Sequence, residues 1–315
     1  MTETHAPELP AAVVAGEALV RDEWLKVRRT GMGGSDIAGM LGLEGAYGTP
    51  VTVWQSKVDE PAEEASTMAM RTGNILEQPL ADLFSEESGV ATVQPPPITI
   101  YRSKDLPIAL ASPDRLAVTG DRATAFVEIK NAGAHKRNDW EEGPPLYYAV
   151  QCQWQLAVSG LDRCYLAALI GGTDFRYYVV EATSRQHEQM FAEAERFWHY
   201  VETNTPPPVD GSEKTRKALL AHYAKTVPEA VEGGEELALA LRDYQAAKER
   251  ESDAHKAVTL AQNRIAAIMR EYEVGTVNGV EACRFPTLVR KGYTVAESTY
   301  RRLTVVSGFQ ESSAT

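Results

Sequence analysis

Ser112-Pro113-Asp114 and, further along, Phe126-Val127-Glu128-Ile129-Lys130 are the two stretches that decide the reading of this chain. Glu128 follows Asp114 by fourteen positions and Lys130 comes two later. Residues i and i+2 of a strand share a face, so Glu128 and Lys130 are predicted to project together. Phe126, Val127 and Ile129 embed that strand in a core, and Pro113 stiffens the turn before Asp114. Two carboxylates and an ammonium on buried structure suit a divalent cation held beside a phosphate. The Ile129 main-chain carbonyl is a further candidate oxygen ligand. Alone, Asp-x₁₃-Glu-x-Lys is common by chance, and the plain alternative is a surface acid with an exposed Glu/Lys pair.

The wider chain sets limits on that chemistry. Its 315 residues, 43% of them hydrophobic, suffice for one large domain or two ordinary ones. There is no run of eighteen apolar residues, and the opening MTETHAPELP lacks the basic-then-apolar pattern of a secretory signal. A cytoplasmic protein is expected, with Cys152, Cys164 and Cys283 as reduced thiols. A formal charge of -12 argues against a generally sticky DNA-binding surface. Local charge differs, because Arg21, Lys26, Arg28 and Arg29 cluster early and His135-Lys136-Arg137 follows the Glu-Ile-Lys strand. A basic lining in an acidic protein binds DNA only where geometry puts it.

Periodicity and punctuation predict a mixed α/β (α+β) core with an antiparallel-biased central sheet flanked by helices. Residues 1–18 form an Ala/Pro/Glu-rich, mobile start. Residues 19–205 hold the core. Its helices are Ile37 to Leu41, capped by Ser35 or Asp36, then Val51 to Lys57, Gly73 to Ser88, Tyr147 to Ser159 and Ser184 to Glu202. Its strands lie near Ile98 to Tyr101, Ala109 to Ser112, Arg115 to Val118, Ala125 to Ile129, Cys164 to Ile170 and Phe175 to Val180. In the third helix Ile75, Leu76, Leu80, Leu83 and Phe84 make an apolar stripe with Glu77 beside it, where that carboxylate could hold a metal-bound water or a rim ion pair. Pro206-Pro207-Pro208 marks a stiff boundary. Residues 206–315 then form a short helix from Glu213 to Lys225, a long helical arm from Glu235 to Glu273 with interrupted heptads, an Asn278-Gly279 hairpin and a β-like end from Tyr293 to Val306.

Gly73-x-x-x-Glu77, Ser112-Pro113-Asp114, Glu128-x-Lys130 and Tyr148-Ala149-Val150-Gln151-Cys152-Gln153 stand in the order and spacing of one group of nucleases. Over Asp22 to Glu202 the chain resembles the YqaJ-like and phage lambda-type alkaline exonucleases of the PD-(D/E)xK superfamily, whose core is restriction-endonuclease-like. The resemblance implies a Mg²⁺-dependent (or Mn²⁺-dependent) 5′→3′ exonuclease on linear double-stranded DNA ends, with Glu77, Asp114, Glu128, Lys130 and Gln151 at its centre. It extends to Trp24-Leu25-Lys26-Val27-Arg28 and Gly33-Gly34-Ser35-Asp36, which implies a 5′-phosphate grip at Arg28 and Ser35. It also implies a single-strand annealing partner, a homo-oligomer that is toroidal in the lambda-type enzymes, and a phage or prophage origin in a bacterial host. His135, Lys136 and Arg137 are candidate DNA-backbone contacts, though a solvated basic loop fits them as well. Gln153 and Gln155 read as ordinary amides on an amphipathic helix. The competing expectations are a restriction-like endonuclease or a nuclease of other polarity, and, from a different class, a non-catalytic DNA-end-binding scaffold.

Overall fold

Glu128 and Lys130 lie on the longest strand, Arg122–Ala132, which is buried on both faces through its middle. A computed structural model of the 315-residue chain describes residues 9, 12–14, 21–60, 67–95, 99–120 and 122–289. In chain order the first elements are β1 (Ala12–Val14), α1 (Arg21–Arg29), α2 (Gly34–Met40), α3 (Pro50–Val58) and α4 (Met68–Ser88). The strands β2 (Thr92–Val93), β3 (Tyr101–Ser103), β4 (Leu110–Ala111), β5 (Arg115–Thr119) and β6 (Arg122–Ala132) follow. After a 3₁₀ segment at Ala134–Trp140 come α5 (Leu146–Ser159), β7 (Arg163–Ile170), β8 (Asp174–Glu181), α6 (Ser184–Glu202) and α7 (Glu213–His222). The chain divides into two compact units, Met1–Ala224 and Lys225–Thr315.

The central sheet of the first unit has the order β2-β5-β6-β7-β8. Every neighbouring pair is antiparallel except β6 with β7, which run parallel with Glu128 opposite Leu166. A parallel pair needs a crossover connection, and α5 provides it. Alternation along β6 assigns the two faces. Phe126 joins Leu116, Trp154, Leu156 and Leu166 in one core cluster, while Ala125, Val127 and Ile129 join Leu80, Ala81 and Phe84 of α4 in the other. The result is an α4/sheet/α5 sandwich, the mixed sheet between helices that the sequence predicts.

Several elements differ from the expectation. Residues 12–14 pair with β3 and form, with β4, a second antiparallel sheet, so part of the supposedly mobile start is a strand. Helix α4 begins at Met68 behind a Thr67 cap, five residues before Gly73. Its Ile75 is 71% exposed and is no part of the apolar stripe. At 100° per residue, the nine positions between Ile75 and Phe84 turn it to the opposite side, whereas Glu77, seven before Phe84, stays on the sheet side. Helix α2 starts at Gly34, and Asp36 rather than a cap residue supplies the side chain, accepting the Gly33 N–H at 2.8 Å.

Helix α6 ends at Glu202, and Pro206 to Pro208 beyond it do not end the unit. Helix α7 returns to α3, with Thr215 and Thr49 joined through their hydroxyls at 2.8 Å and both buried. Lys214 Nζ donates to the carbonyls of Ala46 and Tyr47, and the His222 ring sits 4.6 Å from Trp54 with its Nδ1 2.6 Å from Asp59. In the second unit α8 (Gly234–Met269) runs 36 residues, and β9 (Val274–Val277) and β10 (Val280–Arg284) form a hairpin. The turn is Asn278 and Gly279, both at positive φ as such a turn requires. The β-like reading of Tyr293 to Val306 lies outside the described residues. No described helix is long and apolar enough to cross a membrane.

Trp154 ties the start of α2 to the sheet layer. Its indole N–H donates to the carbonyls of Met32 (3.1 Å) and Leu110 (2.9 Å), while Met32 also exchanges main-chain bonds with Ile108 and Leu110. Gly31 is required by proximity, because a Cβ there would lie 2.3 Å from the Ile108 carbonyl oxygen. Trp154→Phe keeps most of the packing and leaves the indole's partners short of a donor. It is expected to cost about 1–3 kcal/mol in urea unfolding, and a loss below the error of that measurement would remove Trp154 from this role.

Candidate active site

The buried carboxylate of Glu128, 3% exposed, is held by three donors. Lys130 Nζ and Gln151 Nε2 both donate to Oε1 at 2.5 Å, and Gln155 Nε2 donates to Oε2 at 2.7 Å. The geometry follows from the elements. Lys130 is two residues on along β6 and shares its face, and Gln151 and Gln155 are one turn apart on α5, which packs on that face. Asp114, in the turn before β5, reaches β6 from the side and accepts the Ile129 N–H at 2.7 Å. Burial and the Glu128 charge push the Asp114 carboxyl well above its usual range, with Lys130 and the Ile129 amide pulling the other way. Burial lowers the Lys130 ammonium, but Glu128 and Asp114 outweigh it and raise it overall. The Lys130 ammonium stands 5.0 Å from the Tyr148 ring, whose hydroxyl meets that of Tyr47 at 2.8 Å.

Of the two uses left open for Glu77, an ion pair is the one the structure shows. It forms an ion pair with Arg115, which is 3% exposed and also donates to Gln78 and to the Asp114 carbonyl. Glu77 still adds to the negative field on Asp114. Among the described residues no three His, Cys, Asp or Glu side chains gather as a ready metal cluster. The donor chemistry at this corner is nonetheless all hard oxygen, from Asp114 and Glu128, and such a set suits Mg²⁺ or Mn²⁺ rather than a softer ion.

A second cluster lies at the start of α2. Arg28 donates to Ser35 Oγ at 2.9 Å, lies 3.7 Å from Asp36 and stands 4.9 Å from the Trp24 ring. Beneath it Lys57, 7% exposed, donates to Asp36 at 2.7 Å and to the Arg28 carbonyl at 3.2 Å. Burial alone would raise the Asp36 carboxyl, yet Lys57 and Arg28 bring it below the ordinary value. Ser35 is exposed and Arg28 is one-third exposed, so the pair can meet a ligand. A groove of ≈ 1050 Å³ passes Arg28 and Lys57 and is bordered by Lys217 and His222 of α7. Gly34 joins the two clusters, since a Cβ on it would lie 3.1 Å from Gln151 Cγ and 3.5 Å from Gln155 Cγ.

His135, Lys136 and Arg137 fall in the 3₁₀ segment, where Lys136 pairs with Asp139 and Arg137 with Asp174 at 2.7 Å. Of the three amides on α5, Gln153 is structural as expected, bonding the Glu181 carbonyl and the Thr183 N–H. Gln155 instead donates to Glu128, and its i+4 spacing from Gln151 was the available signal. Lys57 and Arg115 left none, because their partners are remote in sequence.

The model of the YqaJ-like viral recombinase domain matches residues 23–162, a span that contains both clusters. The uncharacterized protein YqaJ of Bacillus subtilis (strain 168) is 31% identical over 274 residues, covering 85% of this chain and 84% of that one. The chain belongs to the YqaJ-like family. Among solved structures, an alkaline exonuclease from Laribacter hongkongensis is 19% identical with a TM-score of 0.48, over 58% of this chain and 93% of that one. A phage-related exonuclease from Haemophilus somnus 129PT is 8% identical with a TM-score of 0.40, over 55% and 96%. Chemistry in this YqaJ-like chain is therefore read from its own side chains.

The Asp36–Lys57 pair makes a clear prediction. Lys57→Met strands a buried carboxylate and is expected to cost about 3–5 kcal/mol in denaturant unfolding, whereas adding Asp36→Asn recovers most of it. A single variant as stable as the parent would show that the pair does not hold α2 to α3.

Proposed function

We propose that this protein is a Mg²⁺-dependent deoxyribonuclease that digests the 5′-ended strand of linear double-stranded DNA and leaves a 3′ single-stranded tail for recombination by strand annealing. One observation carries the reading: Asp114, Glu128, Lys130 and Gln151 converge at one buried corner, and Gly34 brings the solvent-open Arg28–Ser35 pair against the same face of α5. Membership of a viral recombinase family supports it.

Asp114 and Glu128, with the Ile129 carbonyl, would hold the cation. Bound there, it neutralises phosphate charge and makes water a better nucleophile at neutral pH. The chain's own groups do the rest. Lys130, fixed by Glu128 and backed by Tyr148, places positive charge where negative charge develops on the phosphate. Gln151 orients the water or a phosphate oxygen through the part of its amide not given to Glu128. Glu77, moored by Arg115, acts on this site through its field. Arg28 grips a terminal 5′ phosphate in two-point fashion and Ser35 adds a hydroxyl donor, so the strand end is fixed relative to the bond that breaks. A companion annealing protein, a ring-like homo-oligomer and the cytoplasm of a phage-carrying bacterium complete the proposal.

Linear duplexes labelled at either end, with and without 5′ phosphate, test it in Mg²⁺ and in chelator. Loss of the 5′ label first, only with the cation, is the expected result; cutting of covalently closed circles would instead mark an endonuclease. Lys130→Ala should lower the rate by about 10²–10³-fold or more while DNA ends still bind, and full activity in that variant would overturn the mechanism. Arg28→Ala should erase most of the preference for 5′-phosphorylated ends. An unchanged preference would refute the grip.

A further inference from the structure

Gln155 is the one donor to Glu128 that the proposed chemistry leaves without a task. It is 1% exposed: Nε2 donates to Glu128 Oε2 at 2.7 Å, and Oε1 lies 3.6 Å from the Cys164 thiol, which has the Tyr165 carbonyl as a second acceptor at the same distance. Cys164 sits on β7, fully buried, opposite Phe126 of β6. Burial and the neighbouring Cys152 push its thiol well above the ordinary range, which keeps the S–H in place as a donor. A flipped amide would turn its oxygen toward the carboxylate and lose both bonds. The carboxylate, which only accepts, thereby fixes the orientation.

The two oxygens of Glu128 are not equivalent. Oε1 takes Lys130 and Gln151, while Oε2 has Gln155. Rotation of a carboxylate about its last torsion is soft, with broad minima, so donors on Oε1 alone leave the plane of the group free to swing. A single buried donor on Oε2 stops the swing and leaves the remaining lone pairs aimed one way. We infer that Gln155 is a positioning residue: by pinning Oε2 it sets the plane in which Glu128 presents its carboxylate to a divalent cation, with Cys164 anchoring the amide from behind. The inference rests on the cation site proposed above.

Partners that orient a metal-binding carboxylate typically contribute roughly 10–100-fold to metal affinity. The test uses the full chain and four measurements: Mn²⁺ affinity by EPR without DNA, the Mg²⁺ concentration for half-maximal cutting, kcat and KM for a linear duplex, and thermal unfolding. Gln155→Leu is expected to weaken Mn²⁺ binding and raise the Mg²⁺ requirement about tenfold or more, with kcat at saturating Mg²⁺ reduced and KM for DNA unchanged. Cys164→Ala, which leaves the Glu128 donor in place, should move both metal readouts in the same direction by about two- to threefold, and it decides the matter if the leucine variant does not fold. Unchanged Mn²⁺ affinity and Mg²⁺ requirement in a folded variant, beside a parent that binds and cuts, would overturn the inference while leaving the nuclease reading intact. A parent that binds no Mn²⁺ and cuts nothing removes both.

Discussion

A carboxylate 3% exposed to solvent cannot stand alone, and the arrangement of the first unit follows from satisfying Glu128. Desolvating a charge costs several kcal/mol unless partners replace its water. The partners come from two layers: Lys130 from the same strand, and Gln151 and Gln155 from the helix across it. Those bonds are made only when α5 lies on β6 at one rotation and one height. The crossover that makes β6 and β7 parallel therefore also delivers the amides, and packing the core and assembling the site are one event.

The same logic runs at the start of α2, with the roles of charge reversed. Lys57 is buried beneath a loop and needs an acceptor, which Asp36 and the Arg28 carbonyl supply. Asp36 also receives the Gly33 N–H. This leaves Arg28 free on its outer side and brings Ser35 to it. Because Gly34 has no side chain, this cluster presses directly on the helix face that serves Glu128.

What was legible in the sequence was what local chemistry decides. The alternation of β6 and the Asn278-Gly279 turn each depend on a few adjacent residues. The shared face of Glu128 and Lys130 was legible through strand spacing, and the structure brings Asp114 and Gln151 to the same corner. Glu77 was placed beside the apolar stripe of α4 with an ion pair among its uses, but its partner could not be named, since Arg115 lies 38 positions away. Lys57 finds Asp36 across 21 positions, and Thr215 finds Thr49 across 166. No window of sequence contains those pairs. The Pro206-Pro208 boundary misled for a related reason: proline ends a helix through its own backbone, but whether the following helix returns to the core depends on a distant surface.

Charge pairing also bears on how an acidic chain would meet a polyanion. Lys57, Arg115, Lys130, Lys136 and Arg137 each face a carboxylate within the first unit. Their fields are largely cancelled beyond the Debye length of about 8 Å at physiological salt, so these five do not add up to an attractive surface. Under the proposed reading, DNA is then not gathered by long-range steering, and contact must be short-ranged. Arg28 differs in its immediate surroundings, since its nearest acceptor is a neutral hydroxyl at 2.9 Å and Asp36 stands farther off at 3.7 Å. A terminal phosphate can displace the serine contact without first breaking a tight ion pair. Interior phosphates carry one charge and a terminal phosphate nearly two, and so a cation held by no tight ion pair is suited to choose a strand end.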